Sequence, residues 1–255
     1  MSNQFSLLGK RRFLPFFLTQ FLGAFNDNVF KQAIIIFLTF SGAGLIDLPL
    51  PVLTNLCAGL FILPFFLFSA TAGQIADKYE KASLIRVTKQ MEVAIMVLGA
   101  AGLLLQEFWM LMLALFLMGT QSTLFGPIKY SILPQSLHKD ELIGGNGLVE
   151  MATSVAILTG SILGGWLVAQ HGGRELVAWA VLGIAAAGYL ASRQIPAVTV
   201  TDPTLRINWN PVTETWHTFQ FTRQNRTVFL SILGISWFWF YGATFLAQMP
   251  VFAKE

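Results

Sequence analysis

Long apolar stretches alternate with short polar segments along this chain, and the pattern predicts an all-α membrane protein. Most stretches reach or approach the length of about 20 residues that a helix needs to cross a bilayer. The short polar segments predict turns between neighbouring spans. Seven spans are expected, at residues 13–40, 52–72, 87–105, 108–133, 142–169, 176–191 and 227–252, with a Gly- and Pro-rich turn at 41–51 after the first.

The segment at residues 193–226 is too long for a simple turn. Leu205, Trp209, Val212, Trp216 and Phe219 recur at helical spacing, and Asn210 followed by Pro211 is typical of a helix start. Aromatic residues on one side, flanked by Arg, favour a helix lying in the membrane interface. A plain linker with scattered aromatics is the alternative. The predicted units are a six-span half, a connector and the first span of a second half, at residues 1–192, 193–226 and 227–255.

Composition supports a membrane protein. The 255 residues are 55% hydrophobic and only 11% charged, against about 25% charged in soluble domains. The net charge of +3 is spread over short loops, which argues against nucleic-acid binding. The single cysteine, Cys57, excludes a disulfide framework or a Cys-based metal site. We therefore predict neither a metal nor a cofactor.

The basic residues predict the orientation, because cationic loops stay in the cytoplasm. Arg174 and Lys254 fall on the side opposite the N-terminus. The side of the N-terminus holds Lys10, Arg11, Arg12, Lys78, Lys81, Arg86, Lys89, Lys139, Arg193, Arg206, Arg223 and Arg226. This asymmetry predicts a cytoplasmic N-terminus.

The first span contains charged residues at membrane depth, where ionisable groups are costly and usually functional. Gln20, Gly23, Asp27 and Lys31 fall on one helical face. Asp27 precedes Lys31 by four residues, the favourable order for an ion pair. Two interpretations stay open: a pair that locks this helix into its bundle, or a face that lines a polar pathway.

The fifth span carries a second intramembrane carboxylate, Glu150, on a face that also contains Asn146. On the same helix, glycines four apart at Gly160 and Gly164 favour close helix packing. Packing explains the glycines but not the glutamate. Lys129, near the helix-kinking Pro127, either belongs to the pathway or reaches towards the surface.

Three charged residues at the start of the third span, Arg86, Lys89 and Glu92, are predicted to be interface charges. Of these, only Glu92 lies far enough from the start of the predicted span to cast doubt on that interpretation.

The most specific short pattern is Gly73-x-x-x-Asp77-Lys78-x-x-Lys81, predicted to lie in a charged cytoplasmic loop that continues to residue 86. It resembles the signature loop of the major facilitator superfamily. Glycine permits close approach of two helix ends, and the charged residues are expected to form a latch that holds one of two rocking states. The resemblance implies a twelve-span fold with substrate bound between two six-span halves. The seven predicted spans would then be a fragment of that fold.

Three blocks resemble the lysophospholipid transporter family of that superfamily: residues 23–28 with Lys31, residues 125–130, and residues 144–150. The resemblance implies import of lysophosphatidylethanolamine-like lipids across the bacterial inner membrane for re-acylation. It also implies, as a fused or associated partner, an acyltransferase with an acyl-carrier-protein synthetase. The expected substrate pathway comprises Gln20, Asp27, Lys31, Asn146 and Glu150, with aromatics such as Phe25 and Phe30 facing the acyl chain or the lipid.

Two other functions are consistent with the sequence: an efflux carrier for small amphiphiles, and a membrane anchor for a fused acyltransferase. The chain itself is not predicted to be an enzyme. An acyltransferase needs a His-x4-Asp pair in which the histidine acts as base, and none of His138, His171 and His217 has an aspartate at that spacing. A phosphate-binding Gly-x4-Gly-Lys-(Ser/Thr) loop is also missing from the sequence.

Overall fold

The computed structural model describes residues 4–40 and 48–252, and within these ranges the chain is helical without β-strands. A short 3-10 helix, Gln4–Gly9, precedes the first long helix. The α-helices are α1 Leu14–Phe40, α2 Leu50–Lys78, α3 Lys81–Leu105, α4 Phe108–Ser131, α5 Leu133–Ser136, α6 Leu142–Val168, α7 Gly173–Ser192, α8 Pro211–Arg223 and α9 Arg226–Phe252.

Six of the described helices, α1, α2, α3, α4, α6 and α7, are long and apolar enough to cross a membrane. They correspond to the first six predicted spans, which confirms the all-α membrane class. Most of the predicted turn at 41–51, as well as Lys254, lies outside the described residues. A helix, α9, occupies the predicted seventh span, but it is not among the six, and its role as a span stays a prediction. The division into units at residues 192 and 226 also stays a prediction.

The bundle is organised around α1, which packs mainly against α6 and α7 and also contacts α2 and α4. α3 packs against α4 and α7, and α2 against α4. One apolar core lies between α1, α3 and α4, where Phe30, Met96 and Leu111 are fully buried. Phe30 fills the space beside Gly99. The expectation that Phe30 faces an acyl chain or lipid is therefore wrong.

The predicted packing role of the α6 glycines is confirmed. A Cβ atom on Gly160 would lie 2.6 Å from the carbonyl oxygen of Phe25. A Cβ on Gly164 would overlap the carbonyl oxygen of Val29. The main chains of α6 and α1 therefore touch on both sides of Asp27.

The predicted charged loop at residues 73–86 is instead a tight corner, because α2 continues to Lys78 and α3 begins at Lys81. The carboxylate of Glu80 accepts hydrogen bonds from the backbone N–H groups of Ala82 and Ser83, and so caps α3. A Cβ atom on Gly73 would meet nothing within 4 Å. Gly73 therefore does not mediate a close approach of helices in the described part of the chain.

The connector runs without regular structure from α7 to α8. Asn210 caps α8 by accepting hydrogen bonds from the backbone N–H groups of Val212 and Thr213, which confirms the predicted helix start. Leu205 and Trp209 lie before this helix rather than on it. None of the side chains of α8 is buried. Whether α8 lies in the membrane interface stays a prediction.

Candidate functional site: a polar path through α1, α4 and α6

Asp27 lies in the interior of the bundle, with only 9% of its surface exposed. Its Oδ2 atom accepts a hydrogen bond of 2.7 Å from the hydroxyl of Ser122 on α4. Its Oδ1 atom is also buried and has no hydrogen-bond partner among the described residues. A buried carboxylate oxygen without a partner is costly. This atom is therefore an acceptor whose hydrogen-bonding capacity is unused among the described residues.

The predicted ion pair between Asp27 and Lys31 is not formed, since no N–O contact within 4.0 Å joins them in the described structure. The Lys31 ammonium instead lies 5.1 Å from the centre of the Phe61 ring on α2. The physical reason is that neighbouring helices offer each group another partner: a hydroxyl for Asp27, and an aromatic face for Lys31.

A chain of polar contacts links α1, α6 and α4. Gln20 is almost fully buried, and its Oε1 atom lies 3.2 Å from the Thr153 hydroxyl of α6. The same hydroxyl accepts a hydrogen bond of 2.8 Å from the Lys129 ammonium of α4. Only 8% of the surface of the whole Lys129 residue is exposed. The interpretation in which Lys129 reaches towards the surface is therefore wrong.

Glu150 ends this chain of contacts at a more open position. Its Oε1 atom lies 3.3 Å from the Lys129 ammonium and accepts a hydrogen bond of 2.8 Å from the Tyr130 hydroxyl. The Glu150 side chain is 44% exposed, whereas that of Lys129 is 10% exposed. The cluster therefore presents a carboxylate to the outside and an ammonium group just behind it.

Asn146 is exposed one turn before Glu150, and its side-chain amide donates to the Leu142 carbonyl oxygen of its own helix. The structure therefore brings Gln20 and Glu150 into one network through Thr153 and Lys129. It leaves Asn146, Asp27 and Lys31 outside the hydrogen bonds of that network.

Sequence reasoning missed a second charged cluster. Lys89 and Glu92 were expected at the interface, but each side chain is 1% exposed and their charged atoms are 2.5 Å apart. The side-chain amide of Asn26 donates a hydrogen bond of 3.1 Å to Glu92. Lys89 and Glu92 are three residues apart on one helix, and this spacing was the available signal for an ion pair. The sequence does not show which neighbouring helices that face of α3 meets.

The signature motif holds the connector. Lys81 is fully buried and donates a hydrogen bond of 2.7 Å to the Thr201 hydroxyl. The backbone carbonyl of Asp77 accepts a hydrogen bond of 3.0 Å from the Asp202 N–H. Lys78 lies over the ring of Tyr79. These contacts attach the corner between α2 and α3 to the connector; the predicted role of the motif as a conformational latch is a separate matter and stays a proposal.

A surface ionic cluster ties the N-terminal segment to the loop before α6. The Glu141 carboxylate lies 2.6 Å from the Lys10 ammonium and 2.7 Å from the Arg12 guanidinium. It also accepts a hydrogen bond of 3.0 Å from the His138 N–H. The hydrogen bonds from Lys10 and from this backbone N–H lower the pKa of Glu141 to about 2.

Comparison with known proteins gives a consistent family signal. The sequence pattern of the Major Facilitator Superfamily matches residues 16–255.

Three similar proteins, each named Lysophospholipid transporter LplT, illustrate the similarity. The protein of Cronobacter sakazakii is 29% identical over 93% of this chain and 56% of its own length. That of Enterobacter sp. strain 638 is 31% identical over 88% of this chain and 53% of its own length. That of Salmonella newport is 32% identical over 91% of this chain and 54% of its own length. The chain thus spans about half the length of these curated relatives.

Proposed function

Because this chain belongs to the major facilitator superfamily, we propose that it forms part of a carrier for lysophospholipids: the N-terminal six-span half, the connector and the first span of the second half. The carrier would move lysophosphatidylethanolamine-like lipids across the bacterial inner membrane by alternating access between two halves. The names of the relatives support this substrate class. In this proposal the chain transports its substrate without chemical change and is not an enzyme.

The observation that supports the proposal best is the cluster of Lys129, Glu150, Gln20 and Thr153 between membrane-spanning helices. Charged groups in such helices are costly unless they are paired or line a path. The Lys129–Glu150 pair is bonded on one side and partly exposed on the other, which supports its assignment to such a path. A helix bundle that served only as an anchor would not require it.

The chemistry of the cluster suits a zwitterionic head group. The ammonium of Lys129 is a hydrogen-bond donor for a phosphate group, whereas Glu150 and the Oδ1 atom of Asp27 are acceptors for an ammonium group. We include Gln20, Lys31 and Asn146 as residues that line the polar part of this path. Asn146 would act at its mouth, where it precedes Glu150 by one helical turn.

An apolar groove beside α1 and α6 suits the single acyl chain of such a lipid. It is lined by Phe25, Ile162, Leu163 and Trp166 together with Thr159. Phe25 belongs to the stretch that also contains Asp27. An acyl chain in this groove would therefore lie against the same helices that carry the polar path.

The proposed orientation places the N-terminus in the cytoplasm. The N-terminal segment, through Lys10 and Arg12, contacts Glu141. The connector contacts Lys81, at the beginning of α3. In the proposed carrier, the signature residues Gly73, Asp77, Lys78 and Lys81 would stabilise one of the two rocking states at this end. An acyltransferase with an acyl-carrier-protein synthetase, fused or associated, would re-acylate the imported lipid there.

Uptake of labelled lysophosphatidylethanolamine by cells that carry the full-length gene tests the proposal. We expect Lys129→Met and Glu150→Gln to reduce uptake about tenfold or more, because each removes one charge of the cluster. Gln90→Ala is the control, because the side chain of this exposed residue on α3 donates a hydrogen bond to the Tyr189 hydroxyl and makes none with the cluster in the described structure. Wild-type uptake in both cluster variants, or no uptake by the wild type, contradicts the proposal. Export of amphiphilic drugs without lipid uptake supports the efflux alternative.

A further inference from the structure

A fully buried ion pair joins two residues of α3 and reaches α1. The Lys89 ammonium lies 2.5 Å from Oε2 of Glu92, and both side chains are 1% exposed. The other carboxylate oxygen of Glu92 accepts a hydrogen bond of 3.1 Å from the Asn26 side chain, which is itself fully buried. Asn26 is the residue directly before Asp27 on α1.

The surrounding helices leave a space that fits the lysine head. A Cβ atom on Gly23 of α1 would lie 2.5 Å from the Lys89 ammonium nitrogen, and one on Gly188 of α7 would lie 3.5 Å from it. The ring of Phe125 on α4 lies 5.7 Å from the same atom. Gly23, which the sequence placed on the face of Asp27, therefore serves the ion pair instead. Four helices meet around this ammonium group.

Stability is a weak explanation for such a pair. Replacing a buried ion pair by apolar side chains of similar volume is often neutral or stabilising, whereas removing one partner is strongly destabilising. A pair of this kind has a clearer role when it fixes the position of a third group. Here the third group is the amide of Asn26, which ties the rotation of α1 about its axis to α3.

We propose that Lys89, Glu92 and Asn26 are positioning residues that orient α1 so that the Asp27 carboxylate faces Ser122 of α4. Successive residues of a helix point about 100° apart. Fixing the Asn26 side chain on Glu92 therefore also fixes the direction of the next residue, Asp27, whose carboxylate reaches Ser122 of α4. The effect that this orientation is expected to have on transport rests on the function proposed above. The effect on the contact between Asp27 and Ser122 does not.

Paired substitutions separate positioning from stability. The single variant Lys89→Met is expected to lower the unfolding temperature, because it leaves the Glu92 charge buried without its partner. The double variant Lys89→Met/Glu92→Met is expected to recover wild-type thermal stability. If the pair positions α1, uptake by this double variant stays about tenfold below wild type despite the recovered stability. Wild-type uptake in the double variant would overturn the proposal.

Asn26→Leu and Thr88→Val provide the matched comparison. Asn26→Leu removes the link between α3 and α1 and is expected to lower uptake to a similar degree as the double variant. Thr88 is also buried on α3, but in the described part of the chain its hydroxyl donates only to the Ile85 carbonyl oxygen of the same helix. Thr88→Val should therefore leave uptake unchanged. Equal loss in both variants would show a general sensitivity to buried polar groups and overturn the positioning role.

A substrate-independent measurement tests the same point. In thermal unfolding of the purified full-length protein, Ser122→Ala should lower the midpoint less in the Asn26→Leu background than in the wild type. The reason is that a misdirected Asp27 no longer receives the hydrogen bond. Independent sites would give additive shifts, and additivity would overturn the proposal. If the wild type moves no lysophospholipid, the proposed function fails while this result still decides the positioning role.

Discussion

Ser122 donates a hydrogen bond of 2.7 Å to Asp27 and so connects α4 to the carboxylate of α1. The other oxygen of Asp27 stays without a partner in the described structure. One half of the carboxylate is therefore held by the protein, and the other half has unused hydrogen-bonding capacity. A group fixed in this way can be oriented before a substrate arrives.

Ser122→Ala should weaken transport without abolishing it. The lost hydrogen bond between helices is worth about 1 kcal/mol in a membrane protein, which corresponds to about a fivefold lower uptake rate. Ser131→Ala is the control, because among the described residues the Ser131 hydroxyl on the same helix donates only to the Ile128 carbonyl oxygen. Uptake assays at equal protein level compare the two variants. Equal rates for both variants would show that the contact to Asp27 does not matter.

Gly164→Ala should destabilise the bundle, because its new methyl group would overlap the main chain of α1 at Val29. Overpacking of this kind costs about 1–3 kcal/mol. A Cβ atom on Gly147 of the same helix would meet nothing within 4 Å. Gly147→Ala should therefore be neutral, or stabilise the helix by up to about 1 kcal/mol. Thermal unfolding of the purified variants measures both effects, and a lower midpoint only for Gly147→Ala would contradict the packing described here.

The ionic cluster at Glu141 predicts a pH-dependent contribution to stability. Its pKa is lowered from 4.5 to about 2 in the folded protein. The stabilisation is therefore complete above pH 4.5 and is lost progressively as the pH falls towards about 2. Glu141→Gln should lower the unfolding midpoint at neutral pH. The difference from wild type should shrink below pH 4.5, and a gap that stays constant under acid conditions would contradict this assignment.

Glu80→Ala should loosen the connector. The Glu80 carboxylate caps α3 and also accepts a hydrogen bond of 3.0 Å from the Val198 N–H. Its loss removes a cap worth about 1 kcal/mol and one attachment of the connector. Limited proteolysis should then cut residues 196–208 faster than in wild type. Glu107 precedes α4 in the same way but makes no capping bond through its side chain, and Glu107→Ala should leave the cleavage rate unchanged.

Much of the fold could be predicted from the sequence, because the length and apolar character of a span are local properties. The six spans, the cap at Asn210 and the close packing at Gly160 and Gly164 followed from patterns within single segments. The prediction of a loop at residues 73–86 was wrong. The segment is rich in charge, but helix ends accept charged side chains readily where they leave the apolar region, and α2 and α3 therefore extend into it.

The candidate site was predicted less completely, because its partners come from different helices. Asp27 and Lys31 have the spacing of an ion pair, yet they contact Ser122 of α4 and Phe61 of α2. Lys89 and Glu92 look like interface charges until α1 and α7 are placed against them. A residue pattern shows which side chains share a face, but only the tertiary structure shows what that face meets.

Helices whose main chains touch have no intervening side chains that can yield under load. The contacts of Gly160 and Gly164 with α1 therefore favour movement of α1 and α6 as a single unit. Gln20 lies on α1 and Glu150 lies on α6. The two residues would therefore keep a constant separation when the halves of the proposed carrier rock. Gln20, Thr153 and Glu150, which lie on these two helices, would then keep their arrangement, and only the contact with Lys129 would depend on a third helix, α4.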